Sequence, residues 1–420
     1  MNLILILSSI LLAWVGLRLL KPFSPAWMFT LIWTSQLLFA GIVLDNYIKF
    51  SYYGLLYILL LNFFFVLGAI ILPMKSTNQQ TQRNLANKRV KKILIVLLFL
   101  ALGNPIMAIL QNGFDLTSFF SIESWLEMGS EMSESRYAET QNVTFLSQIL
   151  LIFMYLAALF GGYCYVLCNK RLKFLCIMEF LPSVLVSITQ GVKLNLVTSV
   201  FLFFIGIVVS SFANGKSIII NYKKLVGISV SSFVFLLILY SAMIFRIGEV
   251  NENAISIVNQ KVSSYTFGHI PCFDIWFSEK RSDDSSLKLG LRTFYAISNS
   301  LGIEKRELGV YQERITFGKD DFEGESNVFT AFRAVVDDFG LYGSLLFMLI
   351  IGYISQLLFY DVQRWSKSYF CTTFLCGIYA YIIWSPLTSY FTYLSYIMVL
   401  AFFYILLHFT YTNEPARISA

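Results

Sequence analysis

The sequence predicts an all-α integral membrane protein of about eleven transmembrane helices, with one outer loop of about 90 residues between the eighth and the ninth. Composition is the first ground. In 420 residues, 57% are hydrophobic and 13% charged, and the mean hydropathy is +0.68, which leaves too little polar surface to coat a soluble globule. Run length is the second, because apolar stretches of about 20 residues, enough to span a hydrocarbon core of roughly 30 Å, recur almost end to end. The third is the placing of charge, which gathers in the short segments between those stretches.

The apolar runs fall at 3–20, 26–45, 52–73, 93–112, 143–167, 174–190, 195–213, 225–246, 340–360, 369–387 and 391–410. No basic residue precedes the first run and no small-residue cleavage site follows it, so it reads as a membrane helix and not as a removable signal peptide. The chain therefore divides into eight helices over 1–246, a large loop over 247–339, and three helices with a tail over 340–420. A formal charge of +6 invites a nucleic-acid reading, but short basic loops are what membrane topology requires, and no nucleic-acid partner is expected.

Loop charge sets direction, since short cytoplasmic loops accumulate Lys and Arg. Lys75, Arg83, Lys88, Arg89, Lys91 and Lys92 crowd 74–92 with no acid, which places that loop inside. Loop 113–142 has the opposite bias, with Asp115, Glu123, Glu127, Glu131, Glu134 and Glu139 against Arg136. Alternation then puts Lys170, Arg171 and Lys173 inside, 191–194 outside, Lys216, Lys223 and Lys224 inside, and 247–339 outside. Counting outward from these, Arg18 and Lys21 lie inside and the N-terminus outside, while Arg364, Lys367 and the C-terminus lie inside.

Five of the six cysteines sit in or beside apolar runs and only Cys272 falls in the long loop, so neither a structural disulfide nor a metal cluster is expected. No phosphate-binding loop, dinucleotide glycine fingerprint, GxSxG elbow or HExxH motif is present, and no cofactor is expected. With only His269 and His408 in the chain, chemistry must rest on carboxylates, Arg and Lys.

Four cations stand near the outer surface: Lys193 and Arg246 at helix ends, and Arg292 and Arg333 in the long loop. Arg offers a planar fork to phosphate oxygens and Lys a point charge. For Lys193 and Arg246, snorkelling at the interface is an equal alternative. Three acidic pairs occur in the loop. Asp283 with Asp284 and Asp320 with Asp321 read as solvated charge, whereas Asp337 with Asp338 abuts the ninth helix and is the better candidate for a base. His269 is a natural proton acceptor, though a packed loop histidine is the plainer reading. Glu179, inside the sixth run, is costly in lipid and should face protein or a polar cavity.

Asn327, Val328, Phe329, Thr330, Arg333, Asp338, Phe339, Gly340 and Gly343 run together into a membrane helix. This stretch resembles the bacterial oligosaccharide repeat-unit polymerases, the Wzy-type O-antigen polymerases, in which an Asn-Val-aromatic-Thr element is followed by Arg, then Asp-Phe-Gly and a further Gly. Weaker likeness extends to 265–274, 290–294 and 191–193, so that the resemblance covers about 190–345. Lys193 stands where the family usually has Arg, which weakens the case for paired phosphate contacts there. Ser326 for Thr and Phe329 for Tyr are smaller departures.

The resemblance implies transfer of a growing glycan from undecaprenyl pyrophosphate to the non-reducing-end hydroxyl of one lipid-linked repeat unit, on the periplasmic face of the inner membrane. Donor and acceptor are then both membrane-anchored, and a chain-length regulator and flippase of the same pathway are implied as partners. It further implies that Arg333, Asp337, Asp338 and His269 carry the chemistry, and that Lys193, Arg246, Arg292, Asn327 and Thr330 hold substrate or pyrophosphate. A ligase moving finished glycan to another acceptor would need the same outer loop. A lipid-linked oligosaccharide flippase or transporter would show two similar halves with charged or broken helices at mid-membrane, unlike this single asymmetric loop.

The topology predicts that Ser130→Cys and Val310→Cys react with an impermeant thiol reagent from outside, and Leu85→Cys only after permeabilisation. Protection at position 310 in intact spheroplasts overturns the outward assignment of the long loop.

Overall fold

The computed structural model describes residues 1–71, 86–115, 117, 121–137, 144–216, 218, 221–247, 255, 258, 267–280, 287–304, 311–320, 322–364 and 368–411. Helices run over Asn2–Leu19 (α1), Pro25–Ile42 (α2), Tyr53–Ile71 (α3), Asn87–Gln111 (α4), Ile122–Tyr137 (α5), Phe145–Tyr165 (α6), Lys170–Met178 (α7), Leu181–Gln190 (α8), Lys193–Ala213 (α9) and Tyr222–Ile247 (α10). Beyond them come His269–Ile275 (α11), Tyr295–Ser300 (α12), strands Ile315–Lys319 (β1) and Phe322–Ser326 (β2), then Ala331–Arg364 (α13), Tyr369–Trp384 (α14) and Leu394–Thr410 (α15). Counting α7 and α8 together as one span, nine of the described helical segments are long and apolar enough to cross a membrane, and α14 and α15 are shorter apolar helices. The chain is a mostly helical, multi-pass membrane protein.

Four features depart from the expectation of plain spans and loops. Loop 113–142 contains the amphipathic helix α5, whose Glu123, Glu127, Glu131 and Glu134 are exposed while Met128 and Met132 pack with Ile109. The sixth run starts earlier, at Lys170, and turns at Glu179 and Phe180, because Pro182 lacks the N–H that would bond the Met178 carbonyl. The long loop is not wholly irregular, since it holds α11, α12 and an antiparallel hairpin with Ile315 opposite Ser326. Finally, α13 begins at Ala331 and not at 340; Gly340, at φ 66° and ψ −172°, interrupts it, so Asp337 and Asp338 lie on helix just before the break.

The chain forms two compact units. The first comprises Met1–Asn78, Lys261–Arg364 and Phe374–Ile397. Within it α3 and α13 meet backbone to backbone: a Cβ on Gly352 would lie 2.0 Å from the Phe65 carbonyl oxygen, and one on Gly68 equally close to that of Leu349. Small residues permit such approach where lipid offers no hydrophobic drive for helix association. Phe29 stacks on Phe65 at 4.3 Å, Trp33 lies 4.6 Å from Phe332, and the Trp33 indole donates to Ser385 Oγ at 2.9 Å.

The second unit comprises Gln79–Gln260, Trp365–Thr373 and Met398–Ala420. Its α6 and α9 use the same device, Gly162 facing the Phe203 carbonyl at 2.0 Å and Gly206 that of Leu159 at 2.4 Å. Tyr163 and Tyr411 hydroxyls bond at 2.6 Å, and the Ala86 N–H donates to the Thr410 carbonyl.

The contact at Gly352 predicts that Gly352→Val destabilises by about 1–3 kcal/mol through overpacking against fixed backbone. Gly227→Ala, where a Cβ meets nothing within 4 Å, serves as the control. Thermal unfolding in detergent separates the two, and equal midpoints refute the close packing of α3 on α13.

Candidate functional site

The framework begins at the Asp274 carboxylate, which is fully buried. It accepts from the N–H of Ser51 at 2.7 Å, of Tyr52 at 3.2 Å and of Gly54 at 2.9 Å, and from Ser51 Oγ at 3.0 Å. These are the orphan donors at the start of α3, where the helix dipole favours an anion, so a helix of the long loop is fastened to the end of a membrane span. Immediately beyond, Phe277 stacks on Tyr57 at 4.7 Å, and Tyr57 donates to the Leu341 carbonyl at 2.6 Å, just past the Gly340 break. Phe332 is fully buried among Phe29, Trp33 and Phe273. Its neighbour Arg333 is thereby fixed.

Arg333 is only 9% exposed and sits inside an aromatic box, its guanidinium carbon 3.9 Å from the Tyr311 ring centroid, 4.0 Å from Phe329 and 5.0 Å from Trp276. Such faces stabilise a cation by their ring quadrupoles. Its Nη2 donates to Glu313 Oε2 at 3.1 Å, and its Nε lies 4.0 Å from Asp337 Oδ2 one helical turn on. Nη1 is buried and has no hydrogen-bond partner. Tyr311 in turn donates to Asp337 Oδ2 at 2.6 Å. Burial, and then the Asp337 carboxylate, hold the Tyr311 phenol well above its ordinary value, so it stays a proton donor.

Asp338 does different work. It is fully buried, and its two oxygens accept the backbone N–H of Arg292 at 2.9 Å and of Thr293 at 2.6 Å, while its carbonyl takes the Leu289 N–H at 3.0 Å. Leu289 and Gly290 both have positive φ, and the clamp holds that turn against α13. The Asp338 carboxylate is thus committed to positioning Arg292. The Arg292 side chain itself is half-buried.

The remaining candidates scatter. Thr330 is buried 1% exposed with Oγ1 unpartnered, and Asn327 is exposed at the end of the hairpin. Cys272 packs its thiol 3.4 Å from the Ser326 carbonyl, and burial pushes it up to about 12, out of nucleophilic range. Lys193 and Arg246 belong to the second unit, where Arg246 Nε donates to Ser133 Oγ at 3.1 Å and its Cβ would meet a Cβ on Gly191 at 3.0 Å. Lys193 opens α9 two residues later, so these two cations gather at one end of that unit. Asp283, Asp284 and Asp321 lie outside the described residues, and Asp320 is exposed in the hairpin turn. Among the described residues no group of three His, Cys, Asp or Glu is placed to hold a metal ion. Sequence reasoning missed Glu313, Tyr311 as a partner of Asp337, and Trp276 as a wall. Nothing in the spacing of a charged loop marks them, since they meet Arg333 only through the fold.

His269 Nε2 stands 2.6 Å from Gln36 Oε1, so Nε2 carries the proton and the buried Nδ1 is left without a partner. Burial pushes the imidazole down to about 4 from an ordinary 6.5. Between these values the unfolded chain binds a proton that the folded chain does not, so the neutral imidazole contributes stability above pH 6.5 that is lost as pH falls towards 4, about 3 kcal/mol at most. His269→Gln should therefore flatten the fall in unfolding midpoint between pH 6.5 and 4.5; a variant as acid-sensitive as the parent refutes the buried neutral state.

Compared with known proteins, the chain matches no family model, no curated protein and no solved structure.

Proposed function

We propose that this chain polymerises undecaprenyl-pyrophosphate-linked oligosaccharide repeat units, as a glycosyltransferase of O-antigen or related surface polysaccharide synthesis. The eleven-helix topology belongs to the same proposal, with the N-terminus and the 247–339 loop periplasmic in the bacterial inner membrane and the C-terminus cytoplasmic. The observation that carries it is Arg333, buried in aromatic rings beside two carboxylates with an N–H still unspent, within the stretch that resembles the polymerases.

In the proposed reaction an acceptor sugar hydroxyl attacks the anomeric carbon of the donor glycan. The bond from that carbon to the pyrophosphate oxygen breaks, and the lipid pyrophosphate leaves with its negative charge. Fixed cations aimed at that developing charge lower the barrier, because they need no reorganisation during the step. Arg333 already has Glu313 and Asp337 against it, so Arg292, held by the Asp338 clamp, is the cation whose charge meets the leaving group. The hydroxyl proton passes to a carboxylate. Glu313, 31% exposed in its side chain against 14% for Asp337, is the one that an acceptor can reach. His269, neutral and bonded to Gln36, supports the scaffold. Holding two lipid-anchored substrates side by side supplies rate by orientation.

Purified protein given one lipid-linked repeat unit should yield a ladder of lengths. Arg333→Ala and Glu313→Gln should abolish extension, and Arg292→Ala should slow it roughly ten- to a hundred-fold, the value of one charge-assisted contact of about 1.5–3 kcal/mol. Asp283→Asn should extend normally. A single product length, or normal ladders from Arg333→Ala, refutes the assignment.

A further inference from the structure

Glu179, costly in lipid by its place in the sequence, lies where the sixth apolar run breaks between α7 and α8. Its side chain is fully buried, and both carboxylate oxygens lack a hydrogen-bond partner among the described residues. The backbone around it offers acceptors. Helix α6 approaches at Gly161, where a Cβ would lie 3.2 Å from Glu179 Cγ and 3.0 Å from the Cys176 carbonyl oxygen. The Phe180 N–H, which would bond that carbonyl in a continuing helix, turns instead to Ile177 at 3.1 Å, and Pro182 has no N–H to offer Met178. The C-terminal end of α7, the negative pole of its dipole, thus closes on carbonyls beside a carboxyl group.

The charged side chains of the helices packed against α7 and α8 are placed elsewhere. Lys88, Arg89, Lys91 and Lys92 of α4 are exposed, as are the four acids of α5. On α7 itself Lys170 and Arg171 are exposed, and Lys173 lies over the Tyr165 ring at 5.2 Å. Arg246 of α10 donates to Ser133, and Lys193 opens α9 ten residues before Phe203, the ring that meets Phe180 at 4.7 Å. The Tyr163 hydroxyl is bonded to that of Tyr411. What remains beside Glu179 is two thiols, Cys176 one turn earlier on α7 and Cys164 one turn beyond Gly161 on α6.

We propose that the break between α7 and α8 is a reversible proton-binding site, with the Glu179 carboxyl group taking up and releasing the proton. An ionised carboxylate buried without a partner is too costly to persist, so a cation must join it. Among the described residues no group of three His, Cys, Asp or Glu is placed to hold a metal ion, which leaves a divalent ion short of ligands. One proton suffices. It neutralises the group and gives it an O–H to donate to a carbonyl of the broken helix, and the C-terminal ends of half-helices in membranes hold protons and Na⁺ by this same logic. Ile177 and Leu181 flank the break and are 44% and 41% exposed, so the helix that carries the site borders lipid. The site is independent of the proposed glycan transfer.

The test treats the full chain in nanodiscs with dicyclohexylcarbodiimide at pH 7, where an ordinary glutamate has lost its proton. This apolar reagent enters from lipid and needs the carboxyl proton, which passes to a carbodiimide nitrogen while the carboxyl oxygen bonds the central carbon. Peptide mass mapping should find the adduct on Glu179, and the label should fall as the pH is raised. Excess Na⁺ at constant pH should leave it unchanged. A water-soluble carbodiimide should modify the exposed Glu123 and spare Glu179. Glu179→Gln, which matches the protonated group in shape, should lose the label and keep the unfolding midpoint of the parent. No adduct on Glu179 at pH 7, a label indifferent to pH, or protection by Na⁺ overturns the proposal. A clear rise in midpoint in Glu179→Gln does so too, since that is what removing a buried ionised carboxylate would give. If the variant fails to fold, the label on the parent and its response to pH and Na⁺ decide.

Discussion

The segment between α10 and α13 is organised around the cost of keeping one guanidinium out of water. An isolated cation in a dry interior is expensive, and it survives only when opposite charge, hydrogen bonds or aromatic faces replace its hydration. Arg333 has all three, and they come from segments far apart in sequence: Trp276 after α11, Tyr311 and Glu313 ahead of the hairpin, Phe329 after it, and Asp337 one turn along the same helix. Each wall requires its own segment to be in register. The described parts of the loop between the eighth and ninth apolar runs thus meet around that charge.

Two buried carboxylates make that ordering possible, and neither is spent on a basic side chain. Asp274 gathers the amide donors at the start of α3, and Asp338 gathers those of the turn that carries Arg292. A buried carboxylate that accepts several backbone N–H groups recovers part of its lost hydration, because each donor replaces a water. Both act as fasteners between the loop and the membrane helices below it. The close backbone contact of α3 with α13 at Gly68 and Gly352 holds the two fastened helices together. Disturbance in that contact would reach the long loop through Asp274 and the Gly340 break.

The parts of the architecture that were legible in the sequence are those the bilayer dictates. The apolar runs fall on helix among the described residues, the sixth broken at Glu179 and Phe180 and the last two shorter than a full span, because an unpaired backbone in hydrocarbon is too costly. Helix α5 escaped notice because its acids, at Glu123, Glu127, Glu131 and Glu134, dominate the composition of a segment whose apolar face is little more than Met128 and Met132 with the half-buried Trp125. The start of α13 was misplaced because Gly340 and Gly343 read as a boundary, whereas the first is a left-handed break within a continuing helical path. Arg333, Asp337 and Asp338 were singled out from the sequence, but adjacent aspartates on a helix face different ways. Only the fold divides them, turning Asp337 to Tyr311 and Asp338 to the 287–293 turn. Glu313 was invisible for a related reason, since its importance lies wholly in a partner twenty residues away.

That division bears on where an anionic leaving group would be met. Around Arg333 stand two carboxylates for one guanidinium, so a second anion approaching that point would meet opposing fields as well as an attractive one. Arg292 changes the balance. The Asp338 carboxylate is occupied by two backbone donors, and among the described residues no carboxylate pairs with the half-buried Arg292 guanidinium. Arg333 and its two carboxylates then form a compact group with one negative charge in excess, suited to receiving a proton from a hydroxyl. The proposed glycosyl transfer would need both kinds of environment, a proton acceptor and a cation, within one site, and the clamp at Asp338 fixes the backbone from which Arg292 projects.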